Sequence, residues 1–170
     1  MPRLHVCSLA LIEETVVRTG ARSLVSLLSP ETAIARPTSI APERHLHLAV
    51  SDIVAPAPGQ VLPGTMHIDE LLDFVQAWDR AEPMVINCWA GVSRSTAAAF
   101  IAACALAPER DELAIARSLR AASPTATPNG RLVALADVTL GRSGRMTGAI
   151  AAIGRGEECF EGTPFALELA

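Results

Sequence analysis

Cys88 and Arg94 bracket five residues in the run Val85-Ile86-Asn87-Cys88-Trp89-Ala90-Gly91-Val92-Ser93-Arg94-Ser95-Thr96. A thiolate is a strong nucleophile, and a guanidinium forks onto two oxygens of a tetrahedral anion where lysine offers only a point charge. The apolar run Pro83 to Cys88 reads as a buried parallel strand, which delivers Cys88 to a sheet edge. Trp89, Ala90, Gly91, Val92 and Ser93 then form a loop ahead of a helix beginning near Ser93 to Ser95. Backbone N–H groups curled inward at a helix N-terminus make a nest for an anion and favour the ionised thiol. Gly91 supplies the backbone freedom that so tight a turn requires. The Ser95 hydroxyl is placed to donate to the Cys88 sulfur and ease its departure from a covalent intermediate.

Elements must position this loop, and the sequence alternates them. Strands are expected at Leu4 to Leu9, Ser23 to Leu28, His45 to Val50 and Pro83 to Cys88. Helices are expected at Ile12 to Arg18, Met66 to Trp78, Ser95 to Leu106, Glu109 to Ala122 and Asn129 to Leu140, from apolar positions at helical spacing and from Gly and Pro punctuation. Such alternation implies an α/β fold with a largely parallel central sheet flanked by helices. Between His45 to Val50 and the next helix lies a long loop holding Pro56, Pro58, Gly59, Pro63 and Gly64, of the length that tends to carry function. Residues 1–142 read as one domain. Residues 143–170 are glycine-rich, with no clear period before Phe165-Ala166-Leu167, and read as a C-terminal tail.

The whole signature resembles that of the protein tyrosine phosphatases, His-Cys-x5-Arg-Ser/Thr, and its Ala90-Gly91-Val92-Ser93-Arg94-Ser95 run is most like the dual-specificity branch. The likeness extends beyond the loop. Asp52 stands 36 residues ahead of Cys88, about where that family carries its general acid. Ser123-Pro124-Thr125-Ala126-Thr127-Pro128-Asn129, opening a helix, is similar to the Pro-Asn element that follows the signature. The resemblance implies a phosphatase fold and hydrolysis of a phosphate monoester through a phosphocysteine. It implies Cys88, Arg94, Asp52 and Ser95 as catalytic residues, with the loop Trp89 to Arg94 holding phosphate. The substrate would be a phosphorylated protein or a small phosphate ester, with no metal and no cofactor. Two positions depart from the pattern. Asn87 stands where the family has the histidine that helps fix the loop, and Trp89 puts a large side chain beside the nucleophile.

Two other classes use the same loop. A pseudophosphatase would hold phosphorylated partners without turnover, a reading that Asn87 keeps open. An arsenate-reductase-like thiol enzyme would need a second cysteine, for which Cys7 and Cys104 are candidates. Composition bounds the remainder. The 170 residues carry net charge −4, which argues against nucleic acid as the main partner. All 14 basic residues are arginine, a usage that reflects base composition more than function. No apolar run approaches a membrane span and no leader is evident, so a cytoplasmic protein is expected. Four scattered cysteines make no disulfide framework. Asp69, Asp73 and Asp79 read as the solvated face of a helix, His45 and His47 as a strand pair without a third metal ligand, and Asn129 as a helix cap.

Overall fold

The computed structural model describes residues 2–170. Its strands are β1 (Arg3–Ser8), β2 (Ser23–Leu28), β3 (His45–Ala49), β4 (Met84–Cys88) and β5 (Phe165–Glu168). They form one sheet in the order β3-β2-β4-β1-β5. The pairs β3–β2, β2–β4 and β4–β1 are parallel, whereas β5 runs antiparallel to β1. The sheet is therefore mixed, largely parallel but closed on one edge by an antiparallel strand.

The helices are α1 (Ile12–Thr19), α2 (Thr65–Ala77), α3 (Arg94–Leu106), α4 (Glu112–Ala122), α5 (Gly130–Thr139) and α6 (Arg145–Ile153). Alternation along the strands splits the core. Leu4, Val6, Val25, Leu27, Met84 and Ile86 pack beneath α2 to α6, while Cys7, Leu24 and Val85 face the smaller layer that contains α1. All five residues of β4 are buried, as expected of a central strand covered on both faces. Helix α3 has Ala97, Ala98, Ala99, Ala102 and Ala103 all fully buried. These small side chains let it lie close to both sheet and helices, so the helix following the Cys88 loop is held on every side.

Helix α4 begins three residues later than its apolar pattern suggests. The turn after Pro108 places Asp111 at the N-cap, where its carboxylate accepts from the Ala114 N–H at 2.9 Å. Residues 143–170 build α6 and β5 against the rest of the chain. Asp137, buried in α5, accepts from the N–H groups of Gly144, Met146 and Thr147 at 2.7, 2.7 and 3.1 Å, and so caps α6 from outside its own segment. Arg142 and Arg145 both bind the buried Glu112 carboxylate, at 2.9 and 3.1 Å. Among the described residues, no helix is long and apolar enough to cross a membrane.

Candidate active site

Strand β4 ends at Cys88, and the loop 89–93 turns over its end into α3. Every free carbonyl of that loop but one is taken from outside. Trp89 O accepts from Leu9 N–H at 3.1 Å and Ala90 O from Gly162 N–H at 2.8 Å. Val92 O accepts from Thr127 N–H at 2.9 Å, and Ser93 O from Ala97 and Asn129 N–H at 3.0 and 3.2 Å. The N–H groups of Ala90 to Ser93 have no protein acceptor among the described residues. Carbonyls turned outward and bonded leave these N–H groups as free donors, the kind of group from which an anion accepts. Gly91 carries φ +71°, and a Cβ on it would sit 2.8 Å from the Cys7 carbonyl carbon. Backbone conformation and space both demand glycine there.

The Cys88 sulfur is buried and lies 3.1 Å from Ser95 Oγ. Arg94 is 7 % exposed and is oriented by its Nη1, which donates to Val50 O at 2.9 Å and to Ser29 Oγ at 3.4 Å. Its Nε is buried without any protein partner. A desolvated cationic donor left unpaired is costly unless an anion completes it, and Arg94 is one of the residues that line the cavity holding Cys88. That cavity, about 360 Å³, is lined by Asp52, Cys88, Trp89, Ala90, Val92, Ser93, Arg94 and Cys159. The structure thus brings together Cys88, Arg94, Asp52 and most of the loop named from sequence.

Asp52 sits exposed on the loop after β3, three residues beyond the strand end. Its Oδ1 accepts from Ser93 Oγ at 2.7 Å and from Asn129 Nδ2 at 2.9 Å. Ser93 precedes α3 but makes no side-chain cap; it points at Asp52 instead. Asn129 does cap α5, its Oδ1 accepting from Arg131 and Leu132 N–H at 3.1 and 3.0 Å. The same amide's Nδ2 reaches Asp52 and the Ile53 carbonyl. The capping role was legible in the sequence; the contact to Asp52, 77 residues away, was not.

Three further groups escape sequence reasoning. Ser26 and His45, on β2 and β3, support Asn87: Ser26 Oγ donates to Asn87 Oδ1 at 2.6 Å and lies 3.0 Å from His45 Nε2. Asn87 Nδ2 donates in turn to the Cys88 carbonyl at 3.3 Å. The segment after α6 walls the cavity, bringing in Cys159 and setting Phe160 edge-on to Trp89 with ring centroids 5.3 Å apart. Of the cysteines considered as redox partners, neither Cys7 nor Cys104 lines the cavity, and burial pushes their thiols up to about 11 and about 12.

A single mixed sheet covered by helices on both faces, with the Cys88 loop at the carboxyl end of its central strand, is similar to solved structures of dual-specificity phosphatases. Human DUSP28 matches with a TM-score of 0.62 at 19 % identity, over 82 % of this chain and 94 % of that one. PTP-2 phosphatase of Cydia pomonella matches with 0.62 at 20 % identity, over 79 % and 84 %. DUSP15 matches with 0.61 at 18 % identity, over 91 % and 94 %. No family model matches the chain, and no curated protein matches its sequence. The fold is that of a dual-specificity phosphatase.

Proposed function

We propose that this protein is a cysteine-dependent phosphatase that hydrolyses a phosphate monoester through a phosphocysteine. The observation that carries this reading is Arg94: a buried guanidinium whose Nε has no protein partner, held by Val50 beside the cavity that contains Cys88. Phosphate supplies the missing acceptor, and the unbonded N–H groups of residues 90–93 supply donors for its other oxygens.

In the first step the Cys88 thiolate attacks phosphorus, forming the S–P bond as the bond to the leaving oxygen breaks. Asp52 gives its proton to that oxygen. In the second step Asp52 takes a proton from water, whose oxygen attacks phosphorus and releases inorganic phosphate and the Cys88 thiolate. The Ser95 hydroxyl, 3.1 Å from the sulfur, stabilises the departing thiolate by donating to it. Arg94 and the loop N–H groups hold the equatorial oxygens throughout both steps. Ser93 and Asn129 keep the Asp52 carboxyl turned to the cavity.

Purified protein should hydrolyse a small aryl phosphate without added metal, and rapid acid quench should trap a labelled phosphoenzyme. Cys88→Ser should abolish both signals. Undiminished turnover in Cys88→Ser would overturn the reading, and tight phosphate binding without turnover in the wild type would assign the loop to a pseudophosphatase.

A further inference from the structure

The segment after α6 is fastened across the cleft at both ends. At its start, Arg120 Nη2 donates to Gly154 O at 2.8 Å, Gly156 N–H to Thr127 Oγ1 at 3.1 Å and Glu157 N–H to Pro124 O at 3.0 Å. At its end, Gly162 N–H binds Ala90 O in the phosphate loop itself, and the Ser8 hydroxyl donates to Glu161. Both glycines lie where a side chain has no room. A Cβ on Gly156 would meet the Thr125 carbonyl at 2.6 Å, and one on Gly162 would meet the Gly91 carbonyl at 2.9 Å. The five residues between them are exposed.

What this strap presents has a definite chemistry. Phe160 is 80 % exposed and stands edge-on to the half-exposed Trp89, so two aromatic rings mark the rim beside Cys88. Next to it a larger cavity of about 540 Å³ shares Asp52, Val92, Ser93 and Cys159 with the Cys88 cavity and is also lined by Glu157, Glu158 and Arg155. Carboxylates and aromatic faces together accept a guanidinium or ammonium, by charge and by attraction to the ring face. They repel additional phosphates. The buried Arg94, whose Nε alone lacks a protein partner, fixes where the single phosphate goes, and the strap lies beside that point.

We infer that residues 155–162 form a cation-accepting subsite, so that the substrate is a phosphorylated protein segment with arginine or lysine next to the phosphorylated residue. This inference rests on the phosphatase reading and adds the substrate class to it. Trp89, Phe160, Glu157 and Glu158 are its specificity-determining residues. Glu158 already lies 3.5 Å from Arg155, an exposed pair that a substrate cation can exchange into.

The test uses phosphopeptides matched except for Arg, Ala or Glu at the flanking positions, in phosphotyrosine and phosphothreonine forms, with a soluble inositol polyphosphate alongside. Each kcat/KM is divided by the same protein's value for a small aryl phosphate. The wild type should favour Arg over Glu by about threefold per charge, an order expected of exposed ion pairs. That ratio should shrink at high salt, where screening shortens to about 3 Å at 1 M. In the double variant Glu157→Gln/Glu158→Gln the ratio should fall toward one, and in Phe160→Ala the Arg preference should weaken. Equal rates for Arg and Glu peptides, or faster turnover of the inositol polyphosphate, would overturn the inference while aryl phosphate hydrolysis upheld the phosphatase. Should the wild type turn over nothing, fluorescence anisotropy of the same peptides on the chain decides: the Arg-over-Glu order supports the subsite, and equal affinities overturn it.

Discussion

Ser26 Oγ donates a 2.6 Å hydrogen bond to Asn87 Oδ1 in the middle of the sheet, where both side chains are fully buried. With its only hydrogen committed to Asn87, the Ser26 hydroxyl accepts from His45 Nε2–H at 3.0 Å. Asn87 passes the alignment on through its Nδ2 to the Cys88 carbonyl. The position that the phosphatase signature fills with histidine is thus held by a three-strand relay from β3 through β2 to β4. Ser26→Ala leaves the buried Asn87 oxygen unpaired, at a cost of about 1–3 kcal/mol. Urea denaturation should show that loss with an unchanged slope, accompanied by reduced kcat/KM for an aryl phosphate. Wild-type values in Ser26→Ala would mean that Asn87 needs no such support.

The same relay gives stability a pH dependence. Burial, the neighbouring His47 and Arg36 lower His45 from 6.5 to about 4. The unfolded chain therefore binds a proton from about pH 6.5 downward that the folded chain refuses until about pH 4, so stability falls as pH falls through that window. His5, lowered by burial and by Arg18 and Arg3, acts in the same direction. His45→Gln should flatten the slope of the urea midpoint between pH 6.5 and 4. An unaltered slope would place the effect elsewhere.

Below that window Glu112 takes over. Burial raises its carboxyl, but its own backbone N–H, Arg142 and Arg145 outweigh burial and hold it below 4.5. Its contribution is complete above pH 4.5 and is lost as pH falls through the lower folded value. Glu112→Gln leaves Arg142, 9 % exposed, without its counter-charge. Breaking such a buried pair should cost about 3 kcal/mol at neutral pH, read from thermal or urea unfolding. A loss below 1 kcal/mol would show that Cys104 O, which accepts from Arg142 Nη2 at 2.8 Å, satisfies the guanidinium alone.

What the sequence disclosed and what it withheld divide along contact range. Cys88, Arg94 and Gly91 lie within seven positions of one another, and a strand-loop-helix read locally is enough to place them. Strands β2 and β4 were legible for the same reason, as short apolar runs, and β3 from the alternation of His45-Leu46-His47-Leu48. Helix α6 and β5 were not. The cap of α6 comes from Asp137 on another helix, and β5 exists because β1 offers it an edge some 160 residues away. Leu167, paired with Leu4, finds its buried place in that pairing. The relay behind Asn87 joins three strands, so no window of sequence contains it.

Gly91→Ala tests the loop itself. The methyl would need φ near +71° and would press within 3.0 Å of three backbone atoms of Cys7 and Ser8. No rotamer relieves that contact, so the loop must open. Aryl phosphatase activity should fall by about two orders of magnitude or more, as when a preorganised oxyanion site is disrupted. Gly130→Ala is the control, since a Cβ there meets nothing within 4 Å. Equal activity in both variants would show that the loop does not depend on its observed path.

Asn129 separates a structural role from a positioning one. Its oxygen caps α5 while its Nδ2 donates to Asp52 at 2.9 Å. Asn129→Asp keeps a side-chain cap, since aspartate caps as well as asparagine, so thermal stability should change by no more than a few tenths of a kcal/mol from that source. It removes the donor that aims Asp52 and sets a second carboxylate against it. Asp52→Asn, which eliminates the proton donor proposed above, should slow aryl phosphates with poor leaving groups by about 10²-fold and good ones far less. Asn129→Asp should reproduce that leaving-group dependence in weaker form, with kcat falling more than KM changes. A series of aryl phosphates of graded leaving-group acidity, measured on both variants, reads the slope directly. If Asn129→Asp keeps the wild-type slope, Asn129 is a helix cap alone; if Asp52→Asn keeps it, the proton comes from another group.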